Sequence, residues 1–272
     1  MPESRLSFNQ MTAGRHSLAE VVEGCVQAAI PSVGVWRYAL DGVGAQAAGQ
    51  MLRDAGLGVS SLCRGGMFPA ATAPERQKRL DDNRRAVEEA AALGTDLLVL
   101  VCGPAPDRDL GAARAMVSEG LDLLLPYAKA CGVRLGLEPL HPMFCGDRSV
   151  VVTLAQARQM AGPFDPRWLG VVVDAYHVWW DPEVEGEIAA LNGRISAFHV
   201  SDWIVPTPDM LMGRGLPGDG VIDLPRLRAL TDAAGYDGPI EVEIFNEALW
   251  SRPCPEICMA VADRFRRHVL AD

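Results

Sequence analysis

Residues 135–142 read LGLEPLHP, and the rest of the chain can be laid out around this segment. Its two alternating leucines predict a buried strand that runs directly into a carboxylate, Glu138. Because Pro139 cannot donate a hydrogen bond to a central β-ladder, we expect the strand to end there and His141 to lie on the following loop. Glu138 is then either a site residue at the carboxyl tip of a strand or a solvated, helix-capping carboxylate.

Eight segments of the chain have the apolar composition of buried strands, and a helical pattern follows each of them. The predicted strands span residues 6–10, 32–36, 58–62, 96–101, 133–138, 168–174, 195–201 and 239–245. Two of the helices open with capping-box sequences, SLAE at 17–20 and TLAQ at 153–156. Strict alternation predicts an α/β fold, a single (β/α)8 TIM barrel over residues 1–272. A doubly wound open sheet is the alternative, although no G-x-G-x-x-G or Walker motif supports its nucleotide-binding forms.

Composition and charge narrow the classes of function. The 272 residues carry a net charge of −10, so no overall basic field favours nucleic acid or an anionic membrane as a partner. No apolar run reaches the roughly 18 residues of a membrane span, and the N-terminus lacks a signal-peptide pattern. The seven cysteines lack paired C-x-x-C spacing, which argues against a disulfide framework or a structural zinc site. We therefore expect a cytoplasmic protein.

Four consecutive predicted strands carry metal-competent side chains at their carboxyl ends: Glu138, Asp174, His199 and Glu243. A carboxylate that follows the three valines at 171–173 is costly to bury unless it is paired or bound to metal. The ends of neighbouring barrel strands converge on one side of the mouth, and three oxygen ligands with one imidazole suit a divalent cation, Mn²⁺ or Mg²⁺. The alternative is a salt-bridge network in which Arg64 or Arg214 neutralises the carboxylates.

Further candidates lie around these strand ends. His141 and His177 each follow a strand-end carboxylate by three residues and could serve in acid–base chemistry or substrate binding, or merely support the site. Trp36 could form an aromatic wall against a sugar, although a core tryptophan is the alternative. Arg214 lies in a long loop rich in glycine and proline that could fold over the site, and it could hold a carbonyl oxygen or an anion. Arg64 is a further candidate for substrate binding.

The sequence resembles the xylose-isomerase-like TIM barrels known as sugar phosphate isomerases/epimerases. The segments that carry the resemblance are LGLEPLHP (135–142), VVVDAYHVWWDP (171–182), FHVSDW (198–203), GRGLPGDGVIDLPRL (213–227) and GYDGPIEVEIF (235–245). In the ketose 3-epimerases of this superfamily, the matching residues bind a divalent metal, which implies the ligand set Glu138, Asp174, His199 and Glu243. The resemblance also implies that Glu138 and Glu243 move protons on opposite faces of the sugar and that His177 contacts substrate.

One feature departs from the epimerase pattern. His141, within the sequence EPLHP, is similar to an arrangement in the metal-binding subunits of C-glycoside deglycosidases and related lyases. That resemblance implies a histidine base that removes a proton next to a ketone, followed by elimination. We therefore expect a metal-dependent sugar isomerase or epimerase that works through a metal-stabilised enediolate, or alternatively a metal-dependent lyase acting on a 3-keto sugar or glycoside.

Two other classes share this barrel. A DNA-repair endonuclease is disfavoured because that class needs additional metal ligands and a basic face, whereas this chain has five histidines and a net charge of −10. A non-catalytic partner subunit is disfavoured because ligand-type residues stand at all four strand ends. The expected partner is a small-molecule sugar or glycoside, with a homo-oligomer or a hetero-subunit assembly left open.

Overall fold

The computed structural model describes residues 2–271, and its strands alternate with helices along the whole of that range. The strands are β1 Leu6–Asn9, β2 Ser32–Trp36, β3 Gly58–Gly66, β4 Leu97–Val101, β5 Arg134–Glu138, β6 Leu169–Asp174, β7 Ile195–Val200, β8 Asp202–Trp203, β9 Arg214–Gly215 and β10 Ile240–Val242. Eight of them form a closed parallel barrel in the order β1-β10-β7-β6-β5-β4-β3-β2. The (β/α)8 barrel predicted from the sequence is confirmed, and the open-sheet alternative is excluded.

Helices surround the barrel: α1 Leu18–Gln27, α2 Ala45–Asp54, α3 Ala73–Leu93, α4 Leu110–Ala130, α5 Leu154–Ala161, α6 Ala175–Val178, α7 Val184–Ala190, α8 Leu224–Ala233, α9 Glu247–Trp250 and α10 Cys254–His268. The predicted capping box at Ser17 is present at the start of α1. At α5 only half of the predicted box forms, because the Gln156 side chain accepts from Val152 N rather than from Thr153 N. Within residues 2–271, no helix is both long and apolar enough to cross a membrane.

The main hydrophobic core lies between the barrel wall and the helices. A small separate apolar cluster contains Cys63, Leu97, Val99, Val172 and Ala197. These residues come from β3, β4, β6 and β7, so they link the strands across the inside of the barrel. Strand side chains alternate between the two faces of the wall, and the inward positions nearer the carboxyl ends are polar and charged.

The long loop predicted over residues 202–222 is not wholly irregular. Within it, β8 and β9 form an antiparallel ladder in which Trp203 pairs with Arg214. The Asp202 carboxylate stabilises the rest of the segment by accepting hydrogen bonds from Gly218 N and Ile222 N. The ladder matters for the site because it fixes the backbone of Arg214 at the barrel mouth.

The eighth barrel strand is shorter than the sequence predicted, since β10 ends at Val242 instead of residue 245. Glu243 N still donates to Val200 O at 3.0 Å. The next amide, Ile244 N, donates instead to the Thr12 hydroxyl at 3.0 Å, and that hydroxyl donates to Val242 O at 2.8 Å. A side chain therefore replaces the backbone ladder on both sides of Glu243, because β1 has already ended at this level.

We predict that Thr12→Val destabilises the protein while Thr12→Ser does not. Thr12 is fully buried, and valine would leave Ile244 N without its acceptor and Val242 O without this donor, at a cost of about 2 kcal/mol. Serine retains the hydroxyl and serves as the matched control. The free energy of unfolding from urea denaturation measures the difference, and equal stability of the two variants would show that the hydroxyl does not secure this strand end.

Candidate active site at the carboxyl end of the barrel

Four strand-end side chains meet at the mouth of the barrel. Each of them offers one ligand atom, and these atoms all lie within 4.8 Å of one another: Glu138, Asp174, His199 and Glu243. All four residues are buried, with exposures of 5% or less. The convergence follows from the ring order, because β5, β6, β7 and β10 are consecutive in the barrel wall.

The donor atoms of this cluster fit a divalent cation. Glu138 Oε1 and both ring nitrogens of His199 are buried yet have no hydrogen-bond partner within residues 2–271. His199 Nδ1 and Glu138 Oε1 lie 3.5 Å apart, so the unsatisfied donors face each other. Buried polar atoms are normally satisfied, and a bound ion is one way to satisfy them. An oxygen-rich set with one imidazole could hold Mn²⁺, Mg²⁺ or Zn²⁺.

Arg214 realises part of the predicted salt-bridge alternative. Its Nη1 lies 3.1 Å from Asp174 Oδ2 and 3.1 Å from Glu243 Oε2. The guanidinium is held between the rings of Tyr176 and Phe245, with centroid distances of 4.5 and 4.7 Å. Two of the carboxylates are thus paired, but the unsatisfied atoms of Glu138 and His199 are not. The arginine contacts and a cation site therefore share the cluster rather than exclude each other.

The second arginine proposed for that network, Arg64, does not pair with the cluster. Across residues 2–271 it makes no ion pair within 4.0 Å and no hydrogen bond, although it lines the same pocket as Glu138 and Glu243. The pocket has about 450 Å³ of free volume and opens at the carboxyl end of the barrel. Of the residues predicted from the sequence, those that line it are Trp36, Arg64, Glu138, His177, Arg214 and Glu243.

Burial and close charges shift the pKa values of the cluster in opposite directions. Burial raises the pKa of the Asp174 carboxyl, and Arg214 opposes that shift. The pKa of Glu243 is raised by the same cause and opposed by the same arginine. Burial alone would lower the pKa of His199, but the carboxylates of Glu241 and Glu138 outweigh it and raise that pKa to about 10. Without a metal, His199 is therefore an imidazolium at neutral pH.

His177 and His141 have different surroundings. His177 is 3% exposed, accepts from His141 N through Nδ1 at 3.2 Å, and places Nε2 3.1 Å from Arg214 Nη2. Burial and the charge of Arg214 hold the pKa of His177 well below its usual range, so its ring is neutral. His141 is half-buried and its ring stacks on Trp203 at 5.4 Å and meets Trp180 edge-on at 5.3 Å. His141 lies beside the pocket rather than in its lining.

Glu241 is a buried carboxylate that the sequence reasoning missed. Its Oε2 lies 3.7 Å from His199 Nε2 and accepts a hydrogen bond from Asn9 Nδ2 at 3.0 Å. Gly34 leaves the necessary room, because a Cβ there would stand 2.1 Å from the same oxygen. The signal was present in the sequence as Glu-Val-Glu, since residues two apart on a strand point to the same face. The carboxylate holds His199 from the side opposite to Glu138.

Known proteins were compared with this fold and site. The xylose isomerase-like TIM barrel family matches residues 22–266, and the chain belongs to that family. The 3-dehydroshikimate dehydratase of Pseudomonas putida KT2440 is 30% identical over 212 residues, which cover 75% of this chain but only 32% of the dehydratase. The chain thus spans about a third of that relative's length. The L-ribulose-5-phosphate 3-epimerase UlaE of Salmonella paratyphi A is 25% identical over 76% of this chain and 71% of the epimerase.

Solved structures agree with this assignment. Protein SMc04130 from Sinorhizobium meliloti 1021 is 45% identical, covers 98% of both chains and superposes with a TM-score of 0.95. The IolI protein, solved with a zinc atom bound, has a TM-score of 0.85 at 17% identity over 97% of this chain and 98% of IolI, which shows a shared fold. The resemblance to the xylose-isomerase-like barrels that the sequence carried is confirmed.

We predict that metal binding to this cluster releases about one proton near neutral pH, because a metal-binding imidazole must be neutral. His199 has a pKa of about 10, so metal affinity should rise roughly tenfold per pH unit below that value and level off above it. Calorimetric titration with Mn²⁺ in buffers of different ionisation enthalpy measures the proton count.

The control for that titration is His16→Gln, which removes an imidazole that lies outside the cluster beside Glu20. This variant should release the same number of protons as the wild type. Metal affinity that stayed constant across the neutral range would contradict the assignment of His199 as the protonated group.

We also predict that Glu241→Gln weakens metal binding by about 10- to 100-fold, the usual effect of removing a carboxylate that orients a ligating histidine. The amide keeps the side-chain shape and an oxygen for Asn9 but removes the charge beside His199 Nε2. The matched control is Glu247→Gln, an exposed glutamate on α9. Equal Mn²⁺ affinity in the two variants would show that Glu241 does not support His199.

Proposed function

We propose that the protein is a divalent-metal-dependent isomerase or epimerase of a small keto sugar, which moves a proton on and off the carbon next to a carbonyl. The observation that carries the proposal is that Glu138 and Glu243 line one pocket, from non-adjacent strands, while both belong to the buried donor cluster. The relationship to the epimerase UlaE supports the reaction class.

Glu138, Asp174, His199 and Glu243 would hold the metal, for which Mn²⁺ or Mg²⁺ are the preferred candidates. Once bound there, the cation would supply Lewis-acid polarisation of the substrate carbonyl and balance the negative charge that develops on its oxygen. The buried setting strengthens this electrostatic effect, because few waters compete with it.

The protein's own groups would handle the proton. Either Glu138 or Glu243 removes the hydrogen from the carbon next to the carbonyl and becomes a carboxylic acid. Return of that proton to the adjacent carbon gives isomerisation, whereas donation by the other glutamate to the opposite face gives epimerisation. Burial raises the pKa of Glu243, which favours a carboxyl group that can hold a proton between the two steps.

The remaining groups position the substrate and exclude water. Arg214 fixes the carboxylates of Asp174 and Glu243, so its role is to position those groups. Trp36 and Phe245 meet edge to face with ring centroids 5.7 Å apart, and both line the pocket beside the arginine. Their rings offer an apolar surface that suits the C–H face of a sugar.

A lyase reaction is the second candidate, and the dehydratase relative favours it. In that reaction, loss of a group next to the deprotonated carbon replaces reprotonation, and the leaving oxygen needs a proton. His141 Nδ1 accepts from Met143 N at 3.2 Å, so the proton of its neutral ring stands on Nε2 and can be donated. Burial lowers the pKa of His141, which eases that donation from the protonated ring as well. A substrate would reach this histidine by extending past His177.

We predict that Glu138→Gln and Glu243→Gln each reduce turnover by at least about 100-fold, the usual contribution of a general acid or base. The test incubates the Mn²⁺-loaded protein in deuterium oxide with a panel of ketoses and 3-keto glycosides and follows deuterium at carbon by mass spectrometry and NMR. For an epimerase, one variant should still exchange the substrate hydrogen while forming no epimer, because only one face is served.

Glu247→Gln serves as the exposed control and should keep wild-type turnover. Metal content of each variant is measured in parallel, so that loss of proton transfer is distinguished from loss of the cation. A product that has lost water or an aglycone, together with a large loss of elimination in His141→Gln, would identify the lyase instead. Absence of solvent deuterium from every recovered substrate and product would overturn proton abstraction as the chemistry of this site.

A further inference from the structure

The pocket has two sides of opposite character. The acidic cluster comes from β5, β6, β7 and β10, which are consecutive in the barrel wall. Two arginines that also line the pocket lie towards the other side, Arg64 on β3 and Arg148 on the segment after β5. The backbone of Arg148 is attached beyond β4, because Gly103 N donates to Arg148 O at 2.9 Å. The two cationic side chains therefore occupy the β3–β4 side of the mouth.

Arg64 has a charge that the protein does not neutralise. It is half-buried, and among residues 2–271 no carboxylate approaches its guanidinium within 4.0 Å and no group accepts a hydrogen bond from it. Arg37 shows the usual arrangement for a half-buried arginine in this chain, with Glu89 at 2.5 Å and Asp82 at 3.0 Å. Burial lowers the pKa of Arg64, and the like charge of Arg148 lowers it further.

Arg148 is similarly short of partners. Its Nε is buried and donates to no acceptor in the part of the chain that the structure describes. The nearest carboxylate is that of Asp147, at 3.8 Å and on a side chain that is 66% exposed, so it balances the charge only weakly. The guanidinium carbon lies 5.7 Å from the centre of the Phe144 ring, which also lines the pocket.

Two arginines without close acidic partners at one pocket are costly unless an anion joins them. Guanidinium groups bind carboxylates and phosphates through paired N–H donors, and such charge-assisted hydrogen bonds are the strong ones. The carboxylates on the other side of the pocket repel an anion, so its favourable place is beside the arginines. The overall net charge of −10 makes this local pair of positive charges more distinctive.

We propose that Arg64 and Arg148 form a subsite for an anionic group of the substrate, a carboxylate or a phosphate, on the β3–β4 side of the pocket. The inference rests on the proposed function of the same pocket, since the reacting carbons would lie at the acidic cluster. It narrows the substrate class from keto sugars in general to sugar acids, carboxylated polyols and sugar phosphates.

The test compares three matched ligands on the Mn²⁺-loaded protein: sorbitol, gluconate and sorbitol 6-phosphate. The wild type should bind at least one of the two anions about tenfold or more tightly than sorbitol, as expected for a charge-assisted contact in a partly buried site. Preference for gluconate identifies a carboxylate, and preference for sorbitol 6-phosphate identifies a phosphate. Equal binding, or no binding of any of the three, would overturn the proposal.

Variants then locate the anion. Arg64→Gln and Arg148→Gln should each remove most of the preference, and Arg64→Lys should retain part of it because lysine keeps the charge without the paired donors. Arg167→Gln is the control, since that exposed arginine pairs with Asp165 at the amino end of β6. Circular dichroism and Mn²⁺ content establish that each variant is folded and loaded.

A preference that persists in the Arg64→Gln/Arg148→Gln double variant would place the anion on the metal or on Arg214 and overturn the subsite. Failure of the proposed function gives a different result, because solvent deuterium would then be absent from the products of the wild type whether or not anions bind more tightly. The two proposals can therefore fail separately.

Discussion

Three carboxylates and one imidazole share a buried volume at the barrel mouth, and the structure has to offset their charges. Donor atoms within 4.8 Å of one another raise the free energy of every ionised carboxylate among them. Arg214 offsets this for Asp174 and Glu243, but Glu138 and His199 remain without hydrogen-bond partners in residues 2–271. A divalent cation would satisfy these atoms, and the order of the barrel strands supplies the geometry that such an ion needs.

The same arrangement is compatible with more than one outcome after a C–H bond is broken. The family to which the chain belongs includes an epimerase and a dehydratase among the relatives found. Both activities can start from removal of a proton next to a carbonyl, and they differ in the groups that receive the intermediate. In this chain those groups are the two glutamates at the cluster, the histidine pair His141 and His177, and the arginines on the β3–β4 side.

The fold could be predicted because its signals are local. Apolar runs bounded by helix caps and glycines indicate parallel strands buried on both faces, and eight repeats of that unit indicate a closed barrel. The errors arose where a partner distant in sequence decides the structure. Thr12 takes over the ladder beyond Val242, and Arg214 is fixed by pairing with Trp203 and by donating from its amide to Phe245 O. Neither relationship has a signature within its own segment.

The sequence by itself determined which side chains stand at the carboxyl ends of the strands, because strand periodicity and the following turn residues specify those positions. Only the tertiary structure decided what each of them faces. Closure of the ring brings Glu241 of β10 against His199 of β7, and the contact between Gly103 and the segment after β5 brings Arg148 to the pocket beside Arg64. Partners and unpaired charges are properties of distances between strands, and the linear order of residues does not contain those distances.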